Sequence, residues 1–331
     1  MRSRAAAVLL GLLALMAVFA PAIAPHDASA RFADSVDAPP TPIRIVADGA
    51  LTWPYFHPSH LADRLEARYD EDMSTRVPLA FFAGGRLVSD PGDPSTPFLL
   101  LGGDSWGRDV FARLVIGARV SLGIALVASV ASVALGLLVG GLAGARGGWI
   151  DAVLMRLADV VAVLPAIYLV VTLRSALPLV LPAGATIAIL VVLLSIVGAP
   201  WIARGVRPIV AAERQTGYAE AARAAGASPW RLLWRHLLPA SFGFVARQAS
   251  LLVPAFVLAE ATLSFIGLGL PDTVPSWGTS LQDASTLGSI ALYPWILAPA
   301  FAVFVLTLLV NLATGTDAVG SWELTRSDSG N

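Results

Sequence analysis

The sequence predicts an all-α polytopic membrane protein with about six transmembrane helices, and three observations carry that prediction. The chain is 56% apolar and only 14% charged, with a mean hydropathy of +0.73, far from the balance of a soluble domain. Residues 121–145, 175–203 and 289–316 contain no charged side chain, and each run exceeds the ~20 residues that cross a bilayer as a helix. Gly136, Gly140 and Gly144 form a GxxxGxxxG face, the pattern that lets a neighbouring helix backbone approach closely in lipid.

Taken in order, the spans fall at about 5–24, 120–144, 152–174, 183–203, 246–269 and 290–313. The first has two readings. Arg2 and Arg4 before an apolar run, followed by Ala28-Ser29-Ala30, also describe a cleaved secretory signal. The run continues to Ala24, which is long for a signal core and suits an uncleaved anchor. Residues 25–119 then form a soluble insert, dense in acid and proline, expected to hold a short helix near 60–72 and a hairpin near 79–88. Pro165, Pro200 and Pro254 fall inside spans, where each frees a carbonyl and favours a kink.

Charge sets the orientation. The loop 204–247 carries seven arginines against Glu213 and Glu220, whereas 271–289 has only Asp272 and Asp283. Arginine-rich loops stay in the cytoplasm, so both termini and 204–247 are expected inside and the insert outside. Beside a membrane those arginines meet anionic headgroups and an acidic partner surface rather than nucleic acid.

Several chemistries are excluded or weak. There is no cysteine, and all 22 basic residues are arginine. Without lysine the chain cannot hold a phosphate-binding loop of the usual kind, so any ATP is bound by a separate polypeptide. His57 and His60 have metal-ligand spacing near Asp63, but no fourth ligand accompanies them. Ser228 lacks a nucleophile-elbow context. Glu260 is the sharpest intramembrane charge, either a pore carboxylate or a structural acid bonded within the bundle. Arg156 and Asp159 are spaced for an i,i+3 pair, and Arg174 can snorkel to the far interface.

The most informative segment is 220–239, EAARAAGASPWRLLWRHLLP. Its alanines favour helix, Gly226 supplies a left-handed stop, Ser228 an N-cap and Pro229 the first helical position; Pro239 is expected to close the second helix. Glu220, Ala221, Ala222 and Gly226, with Leu238-Pro239, resemble the EAA loop of ABC-importer permeases. The strings at 101–122, 147–160, 258–270 and 275–278 are similar to the dipeptide, oligopeptide and nickel branch, in the same order. The resemblance covers roughly 98–313. Two departures are His236, where many members carry isoleucine, and a tail, 314–331, without the usual Asp-Pro-rich ending.

That resemblance implies a type I importer permease fold in a bacterial inner membrane, with a permease domain at 120–313, a coupling loop at 204–245 and a cytoplasmic tail at 314–331. It implies a second, homologous permease, two cytoplasmic ATP-binding subunits holding ATP and magnesium, and an extracytoplasmic solute-binding protein. No cofactor and no catalytic residue are expected in the chain itself. Tyr218, Glu220, Ala221, Ala222, Arg223, Gly226 and Trp230 are the expected ATPase-coupling residues. Trp106, Gly107, Arg108 and Asp109 are expected to meet the binding protein. Short peptides are the expected cargo, with nickel chelates, opines or other small solutes as alternatives. An ion-coupled secondary transporter or channel is the alternative of a different class.

Overall fold

The computed structural model describes residues 2–47, 49–64, 67–89, 96–164, 168, 172, 181–284 and 291–314. The chain divides into two compact units, one centred on Ile124–Glu260 and the other on Arg4–Gly123 with Ala261–Leu309. Among the described residues the helices are α1 (Arg2–Val18), α2 (Ala20–Ile23), α3 (Val110–Arg146), α4 (Gly148–Val163), α5 (Ala183–Glu213), α6 (Gly217–Ala224), α7 (Pro229–Leu232), α8 (Phe242–Phe265), α9 (Trp277–Asp283) and α10 (Ala298–Thr314). Among the described residues, four stretches are long and apolar enough to cross a membrane: Val110–Arg146, Ala183–Glu213, Pro229–Phe265 and Pro294–Thr314. They match the second, fourth, fifth and sixth expected spans. The first appears as a shorter apolar helix, and the third as α4, beyond which most of that span, Pro165 and Arg174 included, lies outside the described residues.

Helix content differs from expectation at the end of the insert and within it. α3 starts at Val110, ten residues before 120, because Asp109 caps it: its Oδ1 accepts the backbone N–H groups of Phe111 at 2.9 Å and Ala112 at 3.2 Å. Residues 110–119 therefore belong to the span helix. Within the insert, the described residues of 60–72 are not helical. Ser59–Asp63 pairs antiparallel with Arg68–Glu71. Local helix formers are overruled by longer-range partners: Tyr69 donates to the Val36 carbonyl at 2.6 Å and Arg44 to Glu71 at 2.6 Å. The hairpin expected near 79–88 is present as Ala80–Phe81 paired with Val88–Ser89.

The insert is thus built of short strands. β1 (Arg44–Ala47), β2 (Ala50–Phe56) and β5 (Val77–Pro78) form one sheet; β3 (Ser59–Asp63) with β4 (Arg68–Glu71), and β6 (Ala80–Phe81) with β7 (Val88–Ser89), form two hairpins. Pro54 sits inside β2 without breaking it, because the β1–β2 register is irregular between Arg44 and Val46 and no ladder bond is required there. Phe56, Leu79 and Phe98 make the buried core. His57 is buried with its Nδ1 donating to the carbonyls of Asp72 and Thr75 at 3.1 and 2.7 Å, which gives it a structural role.

Within the other unit, the glycine face does what its spacing requires. A Cβ at Gly136, Gly140 or Gly144 would overlap the backbone or side chains of Ala199, Ile202, Ala203 and Arg207 on α5. Two serines add hydrogen bonds across the same seam: Ser132 Oγ donates to the Ser195 carbonyl at 3.2 Å, and Ser195 Oγ to the Ala128 carbonyl at 3.3 Å. α4 is tied to α5 by ion pairs Asp151–Arg207 and Asp159–Arg204, the latter at 2.5 Å. Asp159 therefore pairs across helices, not with Arg156 as its spacing proposes.

Candidate functional site

The segment 217–241 forms a helical hairpin whose turn is fixed by backbone chemistry. α6 ends at Ala224, and Gly226 takes φ +82°. The Gly226 N–H reaches the Arg223 carbonyl at 2.9 Å and the Ala227 N–H the Ala222 carbonyl at 3.0 Å. This pair of bonds is a Schellman motif, which satisfies the last carbonyls of α6 and needs the left-handed residue. Ser228 then caps α7, its Oγ accepting the Arg231 N–H at 3.3 Å, with Pro229 at the first helical position.

Pro239 does not close the second helix. The chain passes from α7 through a π turn, Leu233–Leu237, and a 3-10 turn, Leu238–Ser241, directly into α8. Pro239 lacks an N–H and its ring would strike the carbonyl four residues back in a regular helix. Widening the turn accommodates it and keeps the helix running.

One face of the hairpin is buried through Ala219, Leu232, Leu233, Leu237 and Leu238. The other exposes Tyr218, Glu220, Ala221, Arg223, Gly226 and Trp230, with Ala222 half-buried. Trp230 stacks edge-on against Trp234, ring centroids 5.5 Å apart, and both are exposed. Tyr218 donates to the Glu213 carboxylate, which raises its pKa by stabilising the neutral phenol, and lies 3.3 Å from the His236 carbonyl. Arg223 donates to the Arg214 carbonyl. All seven sequence-selected coupling residues are therefore on one hairpin, held to the end of α5. Trp234 lies exposed beside Trp230, and its i,i+4 spacing was the available signal.

The 106–109 segment is different from expectation. Arg108 and Asp109 are 2% and 0% exposed. Arg108 Nε donates to Asp104 at 2.7 Å and its Nη1 to Asp272 at 2.7 Å. Arg113 approaches the same carboxylates at 3.7 and 3.6 Å and Thr279 at 3.4 Å. Asp109 holds His26 Nδ1 at 2.9 Å. Gly107, at φ +70°, is packed so tightly on the Phe32 carbonyl that no Cβ fits. Only Trp106 presents its ring, 51% exposed with Arg31 4.9 Å above it. Asp272 lies 164 residues from Arg108, so this cluster was beyond any local reading.

Nearby, Trp277 is fully buried, its indole N–H donating to the Leu114 carbonyl at 2.9 Å and its backbone N–H to Ser121 at 3.2 Å. A capping box between Ser276 and Thr279 starts its helix. Glu260 is 0% exposed. Among the described residues no group of three acidic or histidine side chains is placed to hold a metal ion.

The family model described as the binding-protein-dependent transport system inner membrane component matches residues 132–315. The chain belongs to that family. It is similar to the glutathione transport system permease protein of Pectobacterium atrosepticum, 36% identical over 64% of this chain and 68% of the relative. The oligopeptide transport system permease protein of Bacillus subtilis is 36% identical over 59% of this chain and 61% of its own length. A probable peptide ABC transporter permease protein of Sinorhizobium fredii is 37% identical over 70% and 78%. The fold resembles that of the MetNI methionine ABC transporter in an inward-facing form, with a TM-score of 0.50 and 22% identity over 62% of this chain and 95% of that one. As a family member the chain is a type I permease subunit of the inner membrane and not an enzyme, with ATP-binding subunits and a binding protein as its partners.

Proposed function

We propose that the chain lines one half of the translocation path of an ATP-driven importer for short peptides. It pairs with a second permease, and the two carry a pair of cytoplasmic ATP-binding subunits beneath them and a solute-binding protein outside. The exposed hairpin carries this reading most directly: its rigid turn presents Glu220, Ala221, Arg223 and Trp230 as one docking face. The relatives named for peptide transport support the cargo. ATP-driven approach of the docked subunits would displace the hairpins and rock the spans between inward- and outward-facing states. Trp106, with Arg31 beside it, is the side chain of 106–109 available to the binding protein. Glu260 acts as a structural acid, in keeping with its complete burial.

The expected outcome in vesicles holding the assembled complex is ATP-dependent uptake of labelled di- to pentapeptides when a loaded binding protein is supplied. Uptake of nickel chelates but not peptides would overturn the cargo assignment, and uptake without ATP the class. Glu260→Gln should transport like the parent; loss of transport by a well-assembled variant would make the carboxylate part of the path. Orientation is tested separately. Alkaline phosphatase fused after Asp93 should be active and fused after Ala227 inactive, because the arginine-rich hairpin stays inside. The opposite pattern would invert the topology.

A further inference from the structure

The insert holds an apolar cavity of about 360 Å3, more than twice the ~150 Å3 that accommodates a benzene ring. Every side chain lining it is apolar, from Ile23 and Pro25 at the end of the first helical stretch, through Ile43, Phe81 and Leu87, to Phe111 at the start of α3. A peptide terminus, sugar or metal ion would find no polar partner there, and leaving such groups unsatisfied is costly. The cavity is also open: Ile43, Phe81 and Leu87 remain partly exposed at its mouth. Trp53 packs edge-on against Phe81 with centroids 5.6 Å apart, and Phe82 is largely exposed beside it. The Arg86 guanidinium donates to the carbonyl of Pro25 in the cavity wall, and uncovered aromatic rings beside an arginine are the composition found where protein meets the bilayer interface.

The first apolar helix connects this opening to lipid. Val8, Leu12, Leu15 and Phe19 are all exposed, and their spacing of four, three and four residues lays them in one stripe along a helix. The next position on that stripe is Ile23, which forms the cavity wall. The helical bond from the Ile23 N–H to the Phe19 carbonyl, 3.1 Å, keeps the stripe continuous past the end of α1. In a membrane protein a stripe of this kind faces acyl chains, and here it leads into an apolar chamber.

We propose that the cavity beneath the β6–β7 hairpin takes an acyl chain of a bilayer phospholipid, guided along the exposed stripe of α1. The bound chain completes the core of Phe56, Leu79 and Phe98 and fastens the insert to the membrane surface. This goes beyond transport itself, and its test does not depend on the cargo.

The full chain, purified with its partner subunits, is examined by native mass spectrometry, and in vesicles containing phosphatidylglycerol with a diazirine near the end of one acyl chain. The expected result is one retained phospholipid per chain and photolabel within 79–89. Leu87→Arg, which sets a guanidinium at the mouth, should lower both at least tenfold. Leu51→Arg changes a still more exposed apolar residue that does not line the cavity and should leave both unchanged. Label confined to α1, or retention unaffected by Leu87→Arg, would overturn the proposal. So would a photo-crosslinking side chain at Leu87 that captures a partner protein instead of lipid.

Discussion

Gly226→Val is expected to yield a complex that inserts normally but no longer couples ATP hydrolysis to transport. Gly226 sits at φ +82° with nothing within 4 Å of an added Cβ, so the penalty arises from backbone conformation and not from a clash. A residue bearing Cβ loses about 1–2 kcal/mol in that region, which lowers the occupancy of the turn by about 5–30-fold. When the turn opens, the Ala222 and Arg223 carbonyls lose their partners and α6 is no longer aimed by α7. The spans do not use this turn. Membrane yield and pairing with the second permease should therefore match the parent, while binding-protein-stimulated ATP hydrolysis falls at least several-fold. Asparagine tolerates left-handed backbone, so Gly226→Asn should recover most of the stimulation. Full stimulation by the valine variant would reduce the hairpin to a connector, and failure of the asparagine variant would deny the conformational cause.

Arg108→Leu should be the most destabilising single change in the other unit. It leaves Asp104, 4% exposed at its side chain, without its closest cation. Removing one partner of a buried pair costs about 3–5 kcal/mol. The lower end applies because Arg113 remains 3.7 Å from Asp104, whose other oxygen keeps the N–H groups of residues 106 and 108. The expected readout is a lower unfolding temperature and a reduced yield of purified chain. Asp272 is more exposed, so Asp272→Asn should cost less than the arginine change. An unshifted unfolding temperature for Arg108→Leu would show that the cluster contributes no stability.

What the sequence showed and what it concealed divide by range. The hairpin turn was legible because each of its devices acts within six residues: Gly226 for φ, Ser228 for the cap, Pro229 for the first turn. The glycine seam was legible because helical spacing places Gly136, Gly140 and Gly144 on one face before any partner is known. The β3–β4 hairpin was not, since Leu61 and Ala62 read as helix formers and the residues that overrule them, Val36 and Arg44, lie elsewhere in the chain. Arg108 and Asp109 looked like surface charges because Asp272 and His26, which bury them, are 164 and 83 residues away. Pro239 misled for a different reason: proline ends a regular helix, but a wider turn lets the helix continue.

That wider turn changes what the passage from Pro229 to Phe265 can tolerate. A flexible linker accepts gained or lost residues with little effect, because its ends only need to meet. Here the exposed hairpin and the span belong to one unbroken helical stretch, so each residue also sets an angle of about 100° between Trp230 and the side chains of α8. The π turn fixes that phase. A one-residue deletion between Leu233 and Leu237 would shorten the chain by little yet turn the docking face towards a different side of the span.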